Sequence, residues 1–166
     1  MGLILDITNQ KIAILINSMT NGGAEKVACN LALAIQEKNV HVELILLEKD
    51  NFYTPPPNVS VTYLSNQTEN VSGFTKFFSL IVFAFKLKRL VKKRNISIVQ
   101  SHMYRSNFVN VITRLLGSKH GTQIVNHGIV SRNISRGTYG FVVASLVRLL
   151  YNRADQCILV SNGMLE

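Results

Sequence analysis

Gly22 and Gly23 stand between an aliphatic run, Lys11–Asn17, and a segment in which Ala24, Val27, Ala28, Leu31 and Ile35 recur at helical spacing. A strand, a glycine loop and a helix N-terminus in that order aim backbone N–H groups and a positive dipole end at one spot, where a phosphate is the usual occupant. The plainer alternative is a tight turn that needs glycine only for its backbone geometry. Glu25 in the first turn and Lys38 in the last complement the dipole of the predicted helix. The loop is not the G-x-G-x-x-G dinucleotide fingerprint, since a single glycine pair is present. Glu48, at the end of the second apolar run, occupies the place of a ribose-binding acid and gives a nicotinamide enzyme only weak support. The histidines are scattered without metal-ligand spacing, so no metal site is expected.

These residues are carried by elements that alternate along the chain. Buried strands are expected at Lys11–Asn17, His41–Glu48, Ile96–Ser101, Thr122–Asn126 and Gln156–Val160, with Val59–Leu64 as a strand near a sheet edge. Helices are expected after Gly23, over Phe74–Arg94, over Asn107–Leu116 closed by Gly117, and over Tyr139–Asn152. Three consecutive prolines keep Lys49–Pro57 out of any central strand. Strands alternating with helices imply an α/β fold, a Rossmann-like parallel sheet with helices on both faces. Ligands of such sheets bind beyond the carboxyl ends of the strands. That rule singles out Asn17, Ser18, Glu48, Ser101, His102, Asn126, His127, Ser161 and Asn162. His41 and His120 precede strands instead, and are expected to be plain surface residues on the opposite rim.

The chain has 166 residues, 47% of them apolar, which is one domain with a real core. Its net charge of +9 arises because acids are scarce, and it points to an anionic partner such as phosphate, nucleic acid or an acidic membrane surface. Cys29 and Cys157 fall inside elements expected to be buried and give no disulfide framework. Met1–Asp6 is too short an apolar stretch for a signal peptide, so a reduced, cytoplasmic setting is expected and the glycosylation sequons are coincidental.

Four segments in register resemble one family. The loop G-G-A-E-K-V after the first strand is similar to that of the N-terminal domain of GT-B glycosyltransferases, of the retaining family-4 type. Ile98–Asn107 (IVQSHMYRSN) resembles a strand and loop that carries a histidine in many members. Ile124–Val130 (IVNHGIV) resembles the family's strand ending in a histidine, and Ala154–Glu166 its A-D-x-x-I-x-V-S strand. The resemblance implies the acceptor-side, N-terminal half of a GT-B fold acting on a nucleotide-diphosphate sugar, with no further cofactor. It implies donor-phosphate contacts at Gly22 and Gly23, and places His127 at the reaction centre as the catalytic residue. Asn17, His102, Arg105 and Arg132, with Arg136 beside them, would serve the acceptor or a phosphate. The family's second domain, which binds most of the nucleotide sugar, has no counterpart in these residues, so the chain alone is expected to be inactive. The acceptor would be a glycan or lipid-linked glycan, and the process surface polysaccharide or glycolipid assembly.

The predicted helix Phe74–Arg94 adds a second expectation. Its run Phe77–Phe85 is too short to span a bilayer of about 30 Å. It is followed by Lys86, Lys88, Arg89, Lys92, Lys93 and Arg94. A basic, aromatic-rich amphipathic helix suits an anionic membrane surface, here the inner face of the plasma membrane, and a core helix with a solvated basic end is the alternative. Two other classes remain: a nicotinamide-dependent oxidoreductase domain and a non-enzymatic, basic nucleic-acid-binding module. The second is disfavoured, since the basic residues gather on one helix without a recognised module motif, and no nucleic-acid partner is expected.

Overall fold

A computed structural model describes residues 10–49, 52, 54–66, 73–127 and 137–160. Six strands form one sheet: β1 (Lys11–Ile16), β2 (His41–Leu46), β3 (Ser60–Tyr63), β4 (Ile98–His102), β5 (Gly121–Asn126) and β6 (Gln156–Leu159). Their order is β3-β2-β1-β4-β5-β6 and every pairing is parallel. Among the described residues the helices are α1 (Gly23–Glu37), α2 (Gly73–Arg94), α3 (Tyr104–Leu115) and α4 (Gly137–Leu150), with a 3₁₀ turn at Tyr151–Arg153.

Parallel strands covered on both faces read as continuous apolar runs, and β1 and β2 do so. Ile14, Ile16, Leu44 and Leu46 pack with Ala24, Ala28 and Ala32 of α1. Ala13, Leu15, Ile45 and Leu47 face the other way, into a larger cluster with Leu80, Phe83, Leu87 and Val91 of α2 and Phe108 and Val111 of α3. Each such large side chain, fully buried, contributes about 1.5–3 kcal/mol relative to exposure. The apolar face of α1 is turned from the expected one. Val27 is exposed, while Ala32 and the carboxylate-bearing Glu25 are buried, because small residues let the helix lie close on β1 and β2.

Three helix ends use the same stop. Asn39, Asn95 and Gly117 have positive φ, and Val40, Ile96 and Ser118 bond back to Ile35, Val91 and Thr113 as in a Schellman motif. The expected edge strand is the edge strand β3. Cys29 is half-buried and Cys157 exposed, not enclosed as expected, since β6 is the opposite edge of the sheet.

His120 overturns its assignment to the surface. It is 1% exposed, with Nε2 2.9 Å from Asn110 Oδ1 and Nδ1 2.9 Å from Ser118 Oγ. The Asn110 amide nitrogen donates to Val99 O, Gln123 O and Ser101 Oγ, so its oxygen is the acceptor for His120 Nε2–H, and Nδ1 accepts from Ser118. Burial, then the nearby Arg114 charge, pushes the His120 pKa down to about 4, against a weaker opposing pull from Asp155. The unfolded chain takes up this proton below about pH 6.5 and the folded chain only near pH 4, so stability present above pH 6.5 is lost as pH falls through that window. His120 alone should remove about 3 kcal/mol between those limits. Urea midpoints measured from pH 7 to pH 4 should fall accordingly, and His120→Gln should flatten the slope.

Candidate active site at the carboxyl edge of the sheet

The chain leaves β1 toward β2 on one side, and β4 continues toward β5 on the other, so the sheet's switch point lies between β1 and β4. Asn17 follows β1 directly. Its side-chain oxygen accepts from the Ser106 hydroxyl (2.8 Å) and backbone N–H (3.2 Å), and so caps the N-terminus of α3 from a neighbouring strand. The residue in the N-cap position itself, Met103, supplies no side-chain cap and sits at φ 73°, ψ 155°. That region is one essentially reserved for glycine. It turns the chain sharply from β4 into α3, which therefore begins at Tyr104, earlier than the expected Asn107.

The early start places Arg105 in the first helical turn, not in a loop. Its guanidinium binds Glu48 with two bonds, Nη2–Oε1 2.6 Å and Nη1–Oε2 3.1 Å, and both side chains are largely buried. Glu48 is thus covered by an arginine fork and is not presented to a ribose.

His102 ends β4 and His127 follows β5, two adjacent strands in register. His102 Nδ1 lies 2.9 Å from His127 Nε2, with the rings tilted by 30°. His102 is 1% exposed, and its Nε2 is enclosed with no hydrogen-bond partner among the described residues. Burial first, then the neighbouring imidazole, holds its pKa down at about 4. His127 is half-buried, and its pKa is lowered by burial while the Glu25 carboxylate pulls it the other way. Both rings are neutral at pH 7, and only His127 reaches solvent.

Gly22 and Gly23 open α1, with ordinary extended φ and ψ at Gly22 and no positive φ at either. Backbone conformation therefore does not demand these glycines. A Cβ at Gly22 would collide with the Glu25 carboxylate, whereas Gly23 faces open space. The Gly22 N–H is committed to Thr20 O, and Thr20 Oγ1 donates to Glu25 Oε1 at 2.8 Å. The anion found at this helix start is the chain's own buried Glu25. Its expected role as a simple dipole complement understated it.

The structure thus gathers Asn17, His102, Arg105 and His127 at one edge, with Gly22 and Gly23 at the mouth of α1. Arg132 and Arg136 lie outside the described residues, as do Ser161 and Asn162. The Asn17 oxygen, the His102 ring and the Arg105 fork are turned inward, and they build the site's walls more than its open surface. Glu25 was expected only to complement the helix dipole, and Ser106 was not anticipated. The signal for Ser106 was there in Ser106, Asn107, Asn110 and Thr113, polar residues at helical spacing that are all fully buried. Among the described residues, no three His, Cys, Asp or Glu side chains gather as metal ligands would.

The family model for Glycosyltransferase Family 4 matches residues 21–166, nearly the whole chain. The chain belongs to that family. A relative from Campylobacter jejuni, an N-acetylgalactosamine-N,N'-diacetylbacillosaminyl-diphospho-undecaprenol 4-alpha-N-acetylgalactosaminyltransferase, is 30% identical over 161 residues. That match covers 95% of this chain and 43% of the relative. Sucrose-phosphate synthase from Thermosynechococcus elongatus superposes with a TM-score of 0.74 at 15% identity, over 92% of this chain and 42% of that one. The lipopolysaccharide outer core galactosyltransferase WaaB, in its apo form, gives 0.65 at 16% identity, over 93% and 40%. The family 4 chain therefore spans less than half the length of these proteins, and its fold is that of their Rossmann-like GT-B domain.

Within this family 4 domain, Arg105→Ala would strand the buried Glu48 carboxylate. Removing one partner of a buried ion pair costs about 3–5 kcal/mol. Denaturant unfolding at pH 7 should show that loss, and a change below about 1 kcal/mol would rank the pair with exposed ones.

Proposed function

We propose that this family 4 chain is the acceptor-side domain of a retaining glycosyltransferase that moves a sugar from a nucleotide diphosphate to a lipid-linked glycan on the cytoplasmic face of a membrane. The observation that carries the reading is His127. It stands at the carboxyl end of β5, one ring nitrogen held by His102, near the mouth of α1. Negative charge builds on the diphosphate as it departs, and preorganised N–H donors stabilise it best in a site closed to water. The diphosphate would approach α1 at Gly23, where there is room, because Glu25 occupies the Gly22 side. His127 would touch the transferred sugar or the acceptor. A companion domain would hold the nucleotide, and the printed name of the Campylobacter relative, with its diphospho-undecaprenol, supports a lipid-linked acceptor.

The outer face of α2 supports the membrane partner. Phe78, Ile81, Val82 and Phe85 are exposed at helical spacing, opposite the buried stripe Leu80–Phe83–Leu87–Val91. Arg89, Lys92 and Lys93 are exposed beyond them. Three further bases are used internally: Lys86 donates to Leu64 O, Lys88 to Leu116 O, and Arg94 pairs with buried Glu43. Among the described residues no helix is long and apolar enough to cross a membrane. Since α2 runs back from the carboxyl edge of the sheet, its apolar half lies on the side of the candidate site, where a lipid-borne substrate would arrive.

Two measurements test the reading. In the protein carrying both domains, His127→Ala should lower turnover by about a hundredfold or more, while the 166-residue chain alone should transfer no sugar. An unchanged turnover number would return His127 to a loop histidine. Separately, the chain should co-sediment with anionic vesicles at low salt and less at high salt, as screening shortens the attraction. Replacing Arg89, Lys92 and Lys93 with glutamine should weaken binding by about 1 kcal/mol per residue in contact, with thermal stability unchanged. No vesicle binding at low salt would leave α2 a core helix with a solvated end.

A further inference from the structure

Two neutral imidazoles facing each other nitrogen to nitrogen share a single proton in the contact, so one donates and the other accepts. Here the donor can be identified from the far side of the buried ring. If His127 Nε2–H donated to His102 Nδ1, the His102 proton would sit on Nε2, inside the protein with no acceptor among the described residues. Enclosed N–H groups without partners are rare, and bare acceptors somewhat less so. The opposite arrangement leaves only a lone pair enclosed. It makes His102 Nδ1–H the donor and His127 Nε2 the acceptor, so the proton of His127 is on Nδ1, the nitrogen on the other side of its ring.

We propose that His102 is a positioning residue which holds His127 in its Nδ1–H tautomer, so that His127 offers the substrate a hydrogen-bond donor and not a base. The proposal rests on the reading of His127 as the substrate-facing group. Burial excludes His102 from touching an acceptor itself: it is 1% exposed and its outer nitrogen has no route to solvent. The other charged group acting on His127 is the Glu25 carboxylate on α1, which opposes the lowering of its pKa by burial. The remaining charges of this edge, Glu48 and Arg105, are bound to each other. The low pKa of His102 keeps it a neutral, single-proton ring throughout the range in which such an enzyme works. His127 would therefore donate to an oxygen of the bound sugar or phosphate, and proton removal from the acceptor hydroxyl falls to another group.

The test reads the tautomer directly. In the 15N-histidine-labelled chain at pH 7.5, long-range 1H–15N correlations should show His127 with a protonated Nδ1 and a bare Nε2. His102→Phe keeps the ring's bulk and removes the donor, and should return His127 to the Nε2–H form that an unconstrained side chain prefers. His102→Asn sets an amide N–H near the lost Nδ1 and should preserve the wild-type pattern. In the two-domain protein, His102→Phe should lower kcat by roughly 10- to 100-fold, as loss of an orienting partner does, with little change in KM, and His102→Asn should recover most of it. A wild-type His127 protonated on Nε2 overturns the proposal even if His102→Phe fails to fold. A folded His102→Phe whose His127 tautomer is unchanged also overturns it. If no sugar is transferred by the two-domain protein, the transferase reading fails, while the spectra still decide the relation between the two histidines.

Discussion

Helix α3 is fastened to the sheet by a set of buried hydrogen bonds in addition to its apolar side chains, and the placement of the candidate site follows from that. Ser106, Asn107 and Asn110 form its buried polar side toward the sheet, and Thr113, equally buried, turns to Ala84 O of α2. Asn110 reaches β4 and β5 together through Val99 O and Gln123 O, and Asn107 bonds to Val125 O and the Tyr151 hydroxyl. Ser101 closes the chain by donating to Asn107 Oδ1. A buried polar network of this kind specifies one seating of the helix, because any slide along its axis leaves several groups unpaired at about 1–3 kcal/mol each. With α3 seated, Arg105 binds Glu48 and Ser106 binds Asn17, two and three residues after the Met103 corner, whose neighbour His102 is buried.

The distribution of positive charge follows a similar division between internal and external use. An excess of bases was legible as a call for anionic partners, yet several of them are answered within the fold. Lys88 meets the carbonyl end of α3, where a cation is favoured by the helix dipole. Arg94 compensates Glu43, which also accepts from Thr62. Arg114 bonds to His120 O and lies 3.8 Å from Asp155, whose other oxygen accepts from the Thr122 N–H. Among the described residues of α2, a narrower stripe of Arg89, Lys92 and Lys93 remains for a partner, aligned with the apolar residues above it.

The sheet was legible because its signal is period and composition: β-branched runs separated by helical patterns admit few topologies, and the strand-end rule then names the right edge. The rule singled out His127, His102 and Asn17, while Arg105 came from the family resemblance, and the structure brings the four to one edge. Their contacts were not legible, because whether a strand-end side chain points outward or is captured depends on neighbours far along the chain, as with Arg105 and Glu48 or Ser106 and Asn17. His120 was misplaced for a related reason. A polar residue before a strand usually meets water, and only the polar face of α3 makes its burial affordable. The start of α3 was missed because residue 103, a methionine, adopts a conformation that sequence propensities assign to glycine.

That methionine has a mechanical consequence. A non-glycine residue held at φ 73°, ψ 155° stores about 1–3 kcal/mol, and the bonds that fasten the residues just after it, Ser106 to Asn17 and Arg105 to Glu48, hold it in that shape. The corner between β4 and α3 is therefore a loaded joint. Any movement that loosens those bonds recovers part of the stored energy, so the scaffold yields most readily at this joint. Rigid on both sides, it would bend first where His102 leaves the strand, one residue from the pair of rings.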